Sequence, residues 1–204
     1  MSQKIISYPT PNQDARPQNT DINTLVIHYT GMRNLEEALA RMQDPIWKVS
    51  AHWCIGEDGT IYQLVPEKMR AWHAGVSWWR GQKNLNDNSI GIEIVNPGHE
   101  FGYRPFRLPQ MNSLINLCKE ICRRNPINPR NVVAHSDIAP GRKMDPGELF
   151  DWERLAKEGI GLWPNSLREN NFGAILKIND KGKRVLLFQK MLSQFGYGLY
   201  QDGV

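Results

Sequence analysis

Two histidines, His28 and His135, each close a short run of apolar and β-branched residues, Thr24-Leu25-Val26-Ile27 and Val132-Val133-Ala134, just where a turn begins. Loops at strand ends carry side chains that a rigid sheet positions, and ligands collect there. Ten residues after His135 stands Asp145, within Pro140-Gly141-Arg142-Lys143-Met144-Asp145-Pro146-Gly147. Lys143 and Asp145 are two apart, so in an extended segment they point to the same side. Two neutral imidazoles and a carboxylate are a metal-ligand set that leaves Zn²⁺ an open fourth position, where the pKa of a water falls to about 7. Such a site needs a group to manage protons. Glu93, inside Ile90-Gly91-Ile92-Glu93-Ile94-Val95, is a candidate, because a carboxylate in an apolar run is costly to bury without a partner. It also needs a cation facing a developing oxyanion, and Lys143 is placed for that. Together these are the parts of metal-assisted amide hydrolysis. His28 and His135 are too distant for a local pattern such as His-Glu-x-x-His. On residue types alone, core histidines bonded to carbonyls, Asp145 in an Asx turn and a solvated Lys143 remain open.

The elements that must position these residues are legible in outline. Residues 7–23, broken by Pro9, Pro11 and Pro17, read as an extended arm, since proline suits neither a helix nor an inner strand. Thr24–Tyr29, Ser89–Asn96 and Val132–His135 read as buried strands. Ser50–Ile55 and Ile61–Val65, joined through Asp58-Gly59, read as a hairpin. Leu35–Met42 and Pro109–Arg124 have apolar residues at helical spacing, and Glu148-Leu149-Phe150-Asp151-Trp152 opens a last helix of this part. Residues 69–88 form a long ordered loop carrying Trp72, Trp78 and Trp79, and loops of that length in a compact domain are usually functional. The linker-like stretch 164–183 is followed by an amphipathic helix at Val185–Leu192.

Composition removes several classes. A chain of 204 residues with 23% charged and 40% AVILMFWYC residues can build a hydrophobic core, so wholesale disorder is excluded. Lys+Arg 25 against Asp+Glu 21 gives only +4, which predicts no nucleic-acid partner. No run approaches the roughly 18 apolar residues of a membrane span. The N-terminus lacks the apolar core of a secretory leader, which predicts a cytoplasmic protein, with the periplasm or cell envelope as the alternative. Three cysteines, Cys54, Cys118 and Cys122, make no disulfide framework and read as small apolar fillers.

Five ordered blocks carry a resemblance: Leu25-Val26-Ile27-His28-Tyr29-Thr30; Ala51-His52-Trp53 with Asp58-Gly59-Thr60-Ile61-Tyr62-Gln63; Ala71-Trp72-His73-Ala74-Gly75; Asn88-Ser89-Ile90-Gly91-Ile92-Glu93; and His135-Ser136-Asp137 through Pro146-Gly147. Over about residues 20–160 the chain resembles zinc-dependent N-acetylmuramoyl-L-alanine amidases of the AmpD/AmiD type, in a superfamily that includes a phage lysozyme and the peptidoglycan recognition proteins. The resemblance implies an α/β fold, a central mixed β-sheet flanked by helices, with the metal in a surface groove. It implies one Zn²⁺ per chain bound by His28, His135 and Asp145, with Glu93 as catalytic acid/base and Lys143 stabilising the oxyanion. The substrate it implies is peptidoglycan or a muropeptide, ordinary or 1,6-anhydro, cut by a monomer. Residues 183–197 resemble the first helix of a peptidoglycan-binding domain that is not completed here. The chain therefore divides into a catalytic domain, 1–163, and a short helical appendage with its linker, 164–204.

Beyond the metal and catalytic residues, Tyr29, Trp72, His73 and Arg80 are expected to contact substrate. His73 could instead brace its loop, the tryptophans could fill a core, and Arg80 could be an ordinary surface charge. His52 is expected in a structural hydrogen bond and His99 in a solvated turn. A non-catalytic module that binds wall fragments in the same groove is the alternative function.

Overall fold

A computed structural model describes residues 4–164 and 176–204. In chain order its elements are β1 (Ile5–Ser7), β2 (Gln13–Ala15), β3 (Thr24–Tyr29), α1 (Leu35–Gln43), β4 (Trp53–Ile55), β5 (Ile61–Gln63), β6 (Met69–Ala71), β7 (Trp78–Trp79), β8 (Gln82–Lys83), β9 (Ser89–Ile94), α2 (Gly98–Phe101), α3 (Leu108–Arg124), β10 (Val132–Ala134), α4 (His135–Ile138), α5 (Trp152–Lys157) and α6 (Lys183–Phe195). Six strands form the central sheet in the order β1-β5-β4-β9-β3-β10. Only β4 and β5 pair antiparallel within it, through the expected hairpin, so the sheet is mixed.

The inner strands are apolar on both faces because both faces are covered. Leu25 and Ile27 of β3 and Ile90, Ile92 and Ile94 of β9 share one core with Leu114, Leu117, Cys118 and Ile121 of α3. Val26 belongs to a separate core with Ala74, Trp79, Leu85, Val133 and Ile138. Successive side chains alternate between faces, so His28 and Glu93 lie on the face away from α3. In the parallel register between β3 and β9 they are direct partners.

Local chemistry holds the supporting elements. Asn34 caps α1 by accepting from Glu37 N at 2.8 Å, and Pro45 lies just beyond the end of that helix. In the hairpin, Asp58 accepts from Thr60 N at 2.8 Å. Gly59, at φ +85°, lies so close to the Pro109 carbonyl that an added Cβ would sit 2.8 Å from its oxygen.

Three expectations need adjustment. The arm is not wholly irregular: Gln13–Ala15, the proline-free piece between Pro11 and Pro17, pairs antiparallel with β6. The 69–88 loop contains three short strands, two of them a small hairpin of β7 and β8. The helix expected from Glu148 begins at Trp152, because Gly147 turns the chain at φ +84° and Asp151 caps the helix by accepting from Arg154 N at 3.0 Å. Part of the linker-like stretch, 165–175, lies outside the described residues. Helix α6 forms as expected, and its last residue and following turn dock on the hairpin: Trp79 meets Phe195 and Tyr197 edge-on, and the Tyr197 hydroxyl donates to Asp137. Among the described residues no helix is long and apolar enough to cross a membrane.

Candidate metal centre

His28 comes from the end of β3, His135 from the first turn after β10, and Asp145 from the Pro/Gly loop that follows. All three are buried. His28 Nδ1 lies 2.9 Å from His135 Nδ1 and 2.8 Å from Asp145 Oδ2, and His135 Nδ1 lies 3.0 Å from the same oxygen. Two ring nitrogens and a carboxylate oxygen thus crowd one point. Protons on both nitrogens would collide, because only 2.9 Å separates them. Each histidine also has its other nitrogen engaged: His135 Nε2 with the Ala74 carbonyl at 3.1 Å, and His28 Nε2 with His73 Nδ1 at 3.0 Å. Two ring nitrogens and a carboxylate oxygen that converge on one point, with the other nitrogen of each ring engaged elsewhere, are the donor set of a cation site.

Electrostatics agree. Burial holds the His28 pKa down to about 4, with His135 adding to the effect, so the ring is neutral at pH 7 and available as a ligand. Burial would by itself raise Asp145, but the close-set rings of His135 and His28 outweigh it and keep the carboxyl well below its ordinary range. Glu93 is the opposite case. Burial raises it well above the usual carboxylate range, Asp145 adds to that, and Lys143 opposes it. Its Oε2 is enclosed and has no hydrogen-bond partner among the described residues. A carboxylate left unpaired beside a three-donor cluster is held ready for protons.

The cluster opens into a groove of about 460 Å³ lined also by Tyr29, Glu93, Lys143 and Arg142. Lys143 is exposed there and no ion pair holds it among the described residues, whereas Arg142 is committed, donating to the carbonyls of Ala74 at 2.8 Å and Val76 at 2.6 Å. Also lining the groove, the Arg41 guanidinium stacks 3.6 Å from the centre of the Trp47 ring.

The residues expected to touch substrate separate in space. Tyr29 lines the groove. His73 reaches its floor but is buried, with both ring nitrogens bonded within the protein. Trp72 is half-buried outside the groove lining, and Arg80 borders a second cleft with Trp78, Lys83, Tyr197 and Tyr200. His52 makes the expected structural bonds, accepting from Gly91 N at 3.0 Å and facing the Met69 carbonyl at 3.1 Å. His99 is not a free turn residue: it bridges the Tyr29 hydroxyl and Glu148, each at 2.9 Å, and stacks on Tyr103. Sequence reasoning passed over Ser89, Asn86 and the Ala74 carbonyl, although Ser89 and Ala74 sit inside two of the blocks that carry the resemblance.

A three-donor cluster at the strand ends of a mixed, helix-flanked sheet, open on one side, is the arrangement that metal-dependent hydrolases of the α/β type use. Known proteins narrow it. The family model described as N-acetylmuramoyl-L-alanine amidase matches residues 18–148. The N-acetylmuramoyl-L-alanine amidase AmiD of Escherichia coli is 42% identical over 193 residues, covering 89% of this chain and 68% of that protein. The 1,6-anhydro-N-acetylmuramyl-L-alanine amidase AmpD of Haemophilus influenzae is 38% identical over 163 residues, covering 71% and 86%. Among solved structures, E. coli AmiD in complex with the substrate anhydro-N-acetylmuramic acid-L-Ala-D-gamma-Glu-L-Lys superposes with a TM-score of 0.77 at 40% identity, covering 93% of this chain and 77% of that one. AmpDh3 of Pseudomonas aeruginosa gives 0.75 at 33%, covering 90% and 78%. The chain belongs to the N-acetylmuramoyl-L-alanine amidase family and is an amidohydrolase of peptidoglycan turnover.

Proposed function

We propose that this chain hydrolyses the amide between the lactyl group of N-acetylmuramic acid, ordinary or 1,6-anhydro, and L-alanine of the stem peptide, using one Zn²⁺ held by His28, His135 and Asp145. The observation that carries this reading is the convergence of two ring nitrogens and a carboxylate oxygen within 3.0 Å of one another. When bound, zinc supplies Lewis acidity at the scissile carbonyl and makes water a stronger acid. The chain's own residues do the rest. Glu93, unpaired and enclosed, takes a proton from the attacking water and returns it to the departing L-alanine nitrogen, so one carboxylate serves as base and then as acid. Lys143, free on the groove wall, faces the negative charge that develops on the carbonyl oxygen. Tyr29 contacts substrate along the same wall. Residues 1–163 form the catalytic domain, and 164–204 an appendage that resembles part of a wall-binding module.

The test is product analysis by mass spectrometry on intact sacculi and on soluble anhydro-muropeptides. Asp145→Ala is expected to lose zinc and activity together. Glu93→Gln is expected to retain zinc while kcat falls about 10²- to 10⁴-fold. A Glu93→Gln enzyme at full rate would refute the role given to Glu93. Muropeptide binding without any released peptide would favour the non-catalytic module instead.

A further inference from the structure

His73 and Ala74 are neighbours in sequence, and between them they hold both histidines of the metal centre. The His73 ring meets His28 Nε2, and the Ala74 carbonyl meets His135 Nε2. The dipeptide is itself pinned, because Asn86 Oδ1 accepts from His73 N at 3.0 Å and from Ala74 N at 2.7 Å.

Counting protons shows what this arrangement decides. A neutral imidazole carries one N–H, and a carbonyl only accepts. The Ala74 carbonyl therefore draws the proton of His135 to Nε2 and leaves Nδ1 bare. For His28 the order is set further away. The Ser89 hydroxyl donates its single proton to the Leu85 carbonyl, so its oxygen accepts from His73 Nε2, 3.1 Å away. His73 Nδ1 is then bare and accepts from His28 Nε2, which leaves His28 Nδ1 bare as well. Run in the opposite direction, the same chain would put a proton on His28 Nδ1, between the ring and Asp145, where it would block a cation. The ring of His73 fits this place only because residue 91 has no side chain: a Cβ on Gly91 would stand 2.4 Å from His73 Cγ and 2.6 Å from its Nδ1.

We propose that the His73–Ala74 dipeptide, ordered by Asn86 and by the Ser89–Leu85 hydrogen bond, is the positioning element that sets the tautomers of His28 and His135 and so presents both Nδ1 atoms to the metal. His73 is then a positioning residue that acts through His28, and Ser89 decides the direction of the chain. This rests on the metal reading above. Partners of metal-bound histidines are worth about 10- to 100-fold in affinity.

The experiment uses the full chain, zinc-free and zinc-loaded. Long-range ¹H–¹⁵N correlations report which nitrogen of each histidine carries the proton, and chelator competition gives the zinc Kd. In the wild type both His28 and His135 are expected as Nε2–H. Ser89→Ala should give mixed tautomers at His28 alone, with a zinc Kd weakened about 10-fold, because His135 is served by a separate carbonyl. Asn86→Ala should disturb both histidines. A merely structural role would lower stability without this selectivity. A wild-type His28 protonated on Nδ1, or a Ser89→Ala protein with unchanged His28 tautomer and unchanged Kd, overturns this inference alone. Failure of the wild-type chain to bind zinc overturns the metal assignment and this inference with it.

Discussion

Gly91→Ala tests the packing behind the metal centre with a single methyl group. The backbone can accept alanine, since φ at this position is not in the left-handed region, and losing a strand glycine by itself would favour folding by about 0.5–1 kcal/mol. The space cannot accept it. The new Cβ would meet the His73 ring at 2.4–2.7 Å, so the ring must withdraw by about 1 Å to restore ordinary contact. His73 is only 6% exposed and has no room to yield freely. Its bonds to His28 and Ser89, now 3.0 and 3.1 Å long, would stretch past useful length. Two hydrogen bonds at about 1 kcal/mol each and an overpacking cost of about 1–3 kcal/mol outweigh the backbone gain. The net loss is about 3 kcal/mol, which for a chain of this size lowers Tm by roughly 6–12 °C. Thermal unfolding of the zinc-loaded protein and a zinc Kd are the measurements. A variant within about 2 °C of wild type and with unchanged zinc affinity would show that His73 does not lie over Gly91 as described.

Two further outcomes follow from groups away from the metal. Burial, with Arg16 adding, holds the pKa of His52 down to about 3, below its unfolded value near 6.5. The unfolded chain therefore binds more protons between these values, and the stability from neutral His52 is complete above 6.5 and lost as pH falls. Going from pH 7 to pH 5 should cost about 2 kcal/mol through this residue; urea unfolding of His52→Gln should show the loss shrink by that amount, and an unchanged slope would refute it. Tyr197→Phe deletes the hydroxyl that donates to Asp137 and should lower stability by about 1 kcal/mol in thermal unfolding, leaving muropeptide hydrolysis intact. No change in Tm would mean that the turn after α6 is not anchored there.

How much of this was legible in the chain differs from residue to residue. Glu93 stood out because a carboxylate inside an apolar run breaks a local pattern, and His28 and His135 because each ends such a run at a turn. Helix α3 and the Asp58-Gly59 hairpin also follow from local periodicity and turn chemistry. His99 is exposed as expected, but its partners Tyr29 and Glu148 lie 70 and 49 residues away and left no local signal. Arg80 borders a second cleft and Trp72 lies outside the lining of the metal-centre groove, and membership of an aromatic loop says nothing about which cleft that loop borders. Ser89 and Asn86 gave no local signal, since a buried serine or asparagine is chemically meaningful only through what it faces.

The sequence by itself thus determined the inner strands, the long helices and which side chains were available for chemistry, since alternation and turn preference act over a few residues. Which of those side chains meet was decided only by tertiary structure. His28 reaches His135 across 107 residues and Asp145 across 117. Those gaps are closed by the order of strands and by burial of the apolar face beneath them, energies summed over the whole core that no short stretch of chain contains.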